Sequence, residues 1–149
     1  MDRQPHARPW QRLVARLYHL RGMAHRHLGH LQGDLEEYRQ AVADFTRAIQ
    51  LDPGFVQALY DRALLLWREL ADGAQAEQDL TLVIELSPDR TEAWFNRAFA
   101  RQLVGDTGGA LADFKQYLAQ GEDPQWREIS QRQVAVLQTL NSAERKKGT

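Results

Sequence analysis

Apolar side chains recur three and four positions apart along most of the chain, which is the spacing of one face of an α-helix. Two such rows share the segment 53–70: Leu59, Ala63, Leu66 and Leu70 on one side, and Tyr60, Leu64 and Trp67 on the other. No segment shows the alternation of apolar and polar residues that a half-buried β-strand would need. The pattern predicts an all-α fold.

Proline marks a repeat along the chain. The pairs are Asp52 with Pro53, Ser87 with Pro88, and Asp123 with Pro124, so the prolines are spaced 35 and then 36 residues apart. An Asp or Ser N-cap followed by proline at the first helical position is a favourable helix start. A second marker is AVADF at 41–45 and ALADF at 110–114, with a weaker copy, AEQDL, at 76–80. Each repeat is therefore predicted to hold two helices.

Residues at fixed positions in these repeats resemble the tetratricopeptide repeat family, whose units of about 34 residues are helix-turn-helix pairs. The matching residues are Tyr18, Gly22, Gly29, Ala41, Phe45, Ala48 and Pro53, then Leu59, Ala63, Leu66, Ala76, Leu80 and Pro88, then Trp94, Ala98, Gly105, Ala110, Phe114 and Pro124. Arg97 and Arg101 depart from the pattern, which prefers an aliphatic and an aromatic residue there. The resemblance implies a right-handed superhelical solenoid of about seven helices.

The repeat spacing predicts a single domain over residues 1–149. Its units cover residues 10–52, 53–87 and 88–122, followed by a C-terminal capping helix at 124–143 and a polar tail at 144–149. Small residues such as Gly22 and Ala98 are expected where two helices cross closely, with Phe45 and Phe114 filling the space beside them.

The first predicted helix carries an apolar row at helical spacing and ends at Gly29. The row is Trp10, Leu13, Val14, Leu17, Leu20 and Ala24. The first unit is longer than the family pattern by about seven residues, close to two helical turns. Asp34 followed by Glu37 resembles a capping box, so the second helix is placed at 34–50, extended at its start. A simple loop before Ala41 is the alternative.

Charge is distributed unevenly along the chain. Residues 1–30 hold six arginines against one acid, a net charge of +5, whereas residues 34–93 hold thirteen acids against five arginines, a net charge of −8. The absence of cysteine excludes a disulfide framework and a thiolate metal site. With no apolar leader and no run long enough to span a membrane, we expect a soluble, cytoplasmic protein.

The resemblance implies a binding groove on the first helix of each unit, where family members bind peptides. The matching positions here are Arg16, His19, Met23, Arg26, Tyr60, Asp61, Leu64, Trp67, Arg68, Phe95, Asn96, Phe99 and Gln102. Aromatic side chains flanked by arginines are typical of interaction hot spots. The alternative is that these rings fill space between neighbouring helices or under the C-terminal segment.

The expected partner is a protein or peptide with apolar anchors, bound without a cofactor. Some family members bind a terminal carboxylate through lysine, asparagine and arginine, and the matching positions here hold His19, Met23, Asp61, Glu92 and Asn96. Two acids would repel a carboxylate, which argues against carboxylate-clamp chaperone tails. Self-association through the groove or a terminal helix remains an alternative.

Three other classes of function are disfavoured. His27 and His30 are the only histidines one turn apart on a predicted helix, and Gly29 lies between them, so no metal site is predicted. Arg8, Arg12 and Arg16 could form a basic ridge for nucleic acid, but the acidic middle of the chain argues against it. No Gly-rich phosphate loop and no paired carboxylates are apparent, so no enzymatic activity is predicted.

Overall fold

The protein folds into α-helices joined by short turns. A computed structural model describes residues 7–147, except for the side chains of residues 144, 145 and 147. Its helices are α1 (Pro9–Gln32), α2 (Leu35–Leu51), α3 (Val56–Arg68), α4 (Gly73–Leu86), α5 (Glu92–Leu103), α6 (Thr107–Gln120) and α7 (Pro124–Lys147). Within residues 7–147 there is no β-strand, which confirms the all-α prediction. No helix in this part of the chain is both long and apolar enough to cross a membrane.

The chain divides after Ala71 into two compact units. In the first unit α1 packs along α2, and α2 packs against α3. In the second unit α4 packs on α5, α5 on α6, and α6 on α7. The boundary falls inside the second predicted repeat, between its two helices. Residues 1–6, including Arg3 of the basic segment, and residues 148–149 of the predicted tail lie outside the described residues.

Only the third proline pair begins a helix. Pro124 is the first residue of α7, and Asp123 Oδ1 accepts a hydrogen bond from Trp126 N at 2.9 Å. The first two pairs instead lie in turns that are closed by i to i+3 hydrogen bonds, Phe55 N to Asp52 O and Arg90 N to Ser87 O, both 3.0 Å. Proline suits the second position of such turns, so α3 and α5 begin three and four residues later than predicted.

Gly29 is a packing position within α1 and does not end the helix. A Cβ on Gly29 would lie 2.8 Å from the ring of Tyr38, so α1 and α2 approach closely there. The helix ends at Gln32 and is followed by its C-cap residue Gly33, whose φ of 65° is favourable for glycine. Asp34 caps α2, accepting from Glu36 N at 2.8 Å, and α2 spans Leu35–Leu51. The carboxylate of Glu37, the other residue of the predicted capping box, lies 2.7 Å from His25 Nδ1 instead. The additional residues of the first unit thus lengthen α1 as well as α2.

The buried side of α1 consists of its small residues. Ala15, Gly22 and Gly29 are buried, and a Cβ on Gly22 would lie 2.7 Å from Phe45 Cε1. The leucines of the apolar row lie on the other side of the helix, where Leu13 is 61% and Leu20 is 64% exposed. We call this side the outer row of α1, formed by Trp10, Leu13, Leu17, Leu20, Ala24, Leu28 and Leu31.

Two arginines that depart from the family pattern are held by a buried carboxylate in the second unit. Arg97 donates two hydrogen bonds of 2.9 Å to Asp113, which is 2% exposed, and its guanidinium lies 4.9 Å from the ring centre of Trp94. Arg101 donates to Asp113 at 3.0 Å and to Glu77 at 2.9 Å. The network joins α4, α5 and α6 through charged hydrogen bonds.

α7 covers the core of the second unit. Leu137 is buried there, and Trp126, Ile129 and Val134 pack against the same core, as the predicted capping face requires, whereas Leu140 is 48% exposed. The helix continues to Lys147, beyond the predicted end at residue 143.

Candidate functional site

The first unit contains a polar cluster centred on Asp61 of α3. Asp61 is 4% exposed, and its carboxylate accepts hydrogen bonds from Arg26 at 3.3 Å and from Gln57 at 3.0 Å. His19 Nε2 lies 2.7 Å from Asp61 Oδ2, while the His19 ring packs against Phe55 with centroids 5.0 Å apart. The carboxylate is therefore surrounded by donors, as a buried charge requires.

Beside this cluster lies a cavity of about 570 Å³ formed by side chains of the first unit. Its lining residues are Met23, Arg26, His27, His30, Tyr38, Leu64, Leu65, Arg68 and Glu69. Met23 and Leu65 also pack against the core formed by Tyr38 and Phe45, so the apolar floor is fixed by the fold. The cavity combines an apolar floor with positively charged walls.

The charged groups of the cavity favour an anionic ligand. Two arginines and one acid, Glu69, line the cavity, and one of these arginines, Arg26, also donates to Asp61. Arg68 is exposed, and its guanidinium lies 5.0 Å from the ring centre of Trp67, which orients the charge. Burial, and then the nearby Glu69 carboxylate, raise the pKa of the Tyr38 phenol, so it stays neutral at ordinary pH.

The predicted residues of the first unit divide into three groups. Met23, Arg26, Leu64 and Arg68 line the cavity, and His19 and Asp61 form the polar cluster beside it. Tyr60 and Trp67 are half-buried, while Arg16 is exposed on α1 and does not line the cavity.

The predicted residues of the second unit pack beneath α7. Phe95 is 5% exposed and stacks on Trp126 of α7 with centroids 4.5 Å apart, and Gln102 donates to Gln133 of α7 at 2.9 Å. Asn96 is fully buried and donates to the Glu92 carbonyl at 2.8 Å, while Phe99 is half-buried. The Phe99 ring meets that of Phe114 edge to face. The protein's own chain thus contacts all four of these predicted residues.

A second cavity, of about 520 Å³, lies in the second unit and is acidic. It is lined by Asp89, Thr91, Glu92, Tyr117, Gln120, Glu122, Asp123 and Trp126. Burial, and then the Asp123 carboxylate, raise the pKa of Tyr117. Among the residues whose positions are described, no three His, Asp or Glu side chains converge as a metal site would require.

Five residues that line the first cavity were not among the predicted binding residues: His27, His30, Tyr38, Leu65 and Glu69. The available signal lay in helical spacing, since His27 and His30 follow Met23 by four and seven positions and so share its side of α1. Tyr38 belongs to α2, and spacing within α1 or α3 cannot reveal a contribution from another helix.

Comparison with protein families identifies one of the predicted repeats. A family model described as tetratricopeptide repeat matches residues 15–55. No curated protein sequence matches the chain.

Solved structures with the same fold cover most of the chain at low identity. The first TPR domain of Spaghetti (RPAP3) bound to the HSP90 peptide SRMEEVD has a TM-score of 0.75 and 19% identity, covering 93% of this chain and 99% of that one. The Arabidopsis OM64 TPR domain has a TM-score of 0.72 and 22% identity, covering 84% and 97%. The TPR2B domain of yeast Sti1 in complex with pHsp70 has a TM-score of 0.70 and 18% identity, covering 86% and 98%. The chain thus contains a tetratricopeptide repeat and has the fold of tetratricopeptide-repeat domains, with three helical pairs followed by a C-terminal helix.

Proposed function

We propose that this protein is a non-enzymatic interaction module that binds a peptide segment of a partner protein at the cavity of the first unit. The observation that carries the proposal is the combination, in one cavity, of an apolar floor with the guanidinium groups of Arg26 and Arg68. A preformed pocket of this kind binds a ligand that offers an aliphatic side chain next to a carboxylate.

Peptides in similar structures have this chemistry. SRMEEVD is bound by the Spaghetti domain, and SGPTIEEVD, from HSP70, is in complex with the second TPR domain of human RPAP3. Both end in two glutamates, a valine and an aspartate, which places carboxylates on either side of an aliphatic side chain. These relatives do not support our prediction against carboxylate-ended tails.

The structure also weakens the charge argument behind that prediction. Asp61 was one of the two acids expected to repel a carboxylate, but Arg26 and Gln57 donate to it and His19 lies 2.7 Å from it. A buried carboxylate with these partners exerts little repulsion on a ligand at the neighbouring cavity. Acid-rich tails therefore belong among the ligands to be tested.

Arg68→Gln tests the proposal, with Arg47→Gln as the matched control. Arg68 lines the cavity, whereas Arg47 is an exposed arginine of α2 that donates to Gln50 at 3.2 Å. Fluorescence polarisation would measure binding of labelled SRMEEVD, its C-terminal amide and the analogue SRMQQVN, in which amides replace the three acidic side chains. We expect Arg68→Gln to weaken binding of the acidic peptide about tenfold, or about 1.4 kcal/mol.

Three results would count against the proposal. Equal affinities for the Arg68 and Arg47 variants would exclude the cavity as the site. Equal affinities for SRMEEVD and SRMQQVN would exclude recognition of the acidic side chains. Failure of the wild-type protein to bind any of the peptides would exclude a ligand that places an aliphatic side chain next to a carboxylate.

A further inference from the structure

The outer row of α1 forms a second exposed surface that shares no residue with the cavity. Trp10, Leu13, Leu17, Leu20 and Leu31 are between 56% and 67% exposed. At 100° per residue the row spans about 80° of the helix circumference and lies nearly opposite the small residues that contact α2. The packing of α1 on α2 therefore leaves this row uncovered.

The row has the spacing of a helix-packing surface. Its members follow one another at intervals of three or four residues from Trp10 to Leu31, a length of about 33 Å. A narrow row of this kind is typical of a coiled-coil contact, whereas a helix lying in a membrane surface presents a broader apolar face. The shape therefore favours a second helix over a lipid surface.

The charges on α1 indicate what kind of partner helix the outer row would bind. Residues 9–32 contain four arginines and four histidines but no acid. On the helix circumference the exposed Arg16 lies on one side of the outer row, and Arg21, which pairs with Asp44 of α2, lies on the other. Two copies of α1 packed through this row would bring arginines together, and like charges beside a helix contact oppose pairing.

We infer that the outer row of α1 docks an amphipathic helix of a partner protein whose apolar residues recur at three- and four-residue intervals and are flanked by Asp or Glu. The partner's leucine-like side chains pack between Leu13, Leu17 and Leu20, and its carboxylates lie beside Arg16. This docking is independent of peptide binding at the cavity.

A designed helical peptide tests the inference directly. The probe is a labelled 24-residue peptide with leucine at the a and d heptad positions and glutamate at e and g, and its counterpart has lysine at e and g. Fluorescence anisotropy with the full chain should show at least tenfold tighter binding of the glutamate peptide, and that difference should shrink as salt is added.

Paired substitutions of exposed leucines locate the contact. Leu17→Gln with Leu20→Gln should lower the affinity for the glutamate peptide at least tenfold. Leu82→Gln with Leu86→Gln, in exposed leucines of α4, should leave it unchanged. Far-UV circular dichroism should be the same for both variants because all four side chains are exposed.

Other results would overturn the inference. These are equal binding of the two peptides, equal effects of the two double variants, or a wild-type dimer in sedimentation equilibrium that the α1 variant dissociates. Another is binding to phosphatidylserine-containing vesicles that the α1 variant abolishes while peptide binding persists, because a lipid surface would then be the occupant.

Discussion

Replacing Asp113 with asparagine should destabilise the protein far more than the same change at Asp44. Both carboxylates are buried and accept two hydrogen bonds from one arginine, but the side chain of Arg97 is 10% exposed whereas that of Arg21 is 63% exposed. Asp113→Asn leaves the buried Arg97 charge without its counter-ion and also removes a partner of Arg101. Asp44→Asn leaves a charge that water can solvate.

The difference in burial sets the expected magnitude. Removing one member of a buried ion pair typically costs about 3 to 5 kcal/mol, because the other charge stays desolvated. With a urea dependence of about 2 kcal/mol per molar, Asp113→Asn should lower the unfolding midpoint by roughly 1.5 to 2.5 M. The Asp44→Asn shift should be less than about half as large.

Urea unfolding followed by far-UV circular dichroism and tryptophan fluorescence measures both shifts. Trp94 and Trp126 report on the second unit, which contains Asp113. A companion double variant, Arg97→Met with Asp113→Leu, should recover most of the loss because it removes both buried charges together. Equal shifts for the two asparagine variants, or no recovery in the double variant, would refute the explanation based on a stranded charge.

Two further predictions concern helix packing and alkaline stability. Gly22→Ala should lower the free energy of unfolding in urea by about 1 to 3 kcal/mol, because the added Cβ would lie 2.7 Å from Phe45. Gly54→Ala should lower it less, because the nearest neighbour of its Cβ would be 3.7 Å away, and similar costs for the two variants would contradict a packing role for Gly22. Tyr117 has a pKa raised above its ordinary value near 10, so its ionisation opposes folding and stability should fall as pH rises above about 10. Tyr117→Phe should reduce that fall between pH 9 and pH 11, and an unchanged pH profile would assign the loss to other groups.

The sequence predicted the helices better than their starting points. Repeat spacing gave the helical pairs because each unit has the same pattern of large and small residues. Asp52 with Pro53 and Ser87 with Pro88 were assigned to helix starts, although the same residue types also favour a turn one step before a helix. Local sequence does not separate these two uses of proline.

Periodicity identified the residues that share a face of α1 but not the face that is covered. The leucine-rich row is exposed, whereas the small side chains of Ala15, Gly22 and Gly29 face α2. Two helices can approach closely only where side chains are small, which is why Gly22 was expected at a helix crossing. Apolar character alone does not identify the covered face.

The candidate site was predictable where its residues share one helix face. Met23 and Arg26 on α1, and Leu64 and Arg68 on α3, which the family resemblance assigned to a binding groove, line the first cavity. The second-unit residues were less predictable because their surroundings depend on α7. Nothing in the spacing along α5 indicates that Trp126, 31 positions further along than Phe95, will stack on it.

The seven-residue spacing of Ala15, Gly22 and Gly29 constrains how the length of α1 can change during evolution. Seven residues turn a helix by nearly two whole revolutions, so adding or removing seven would leave both the small-residue side and the outer row almost where they are. A single inserted residue would rotate everything after it by about 100° and drive larger side chains into α2. Natural variants of this helix should therefore differ in length by steps of about two turns.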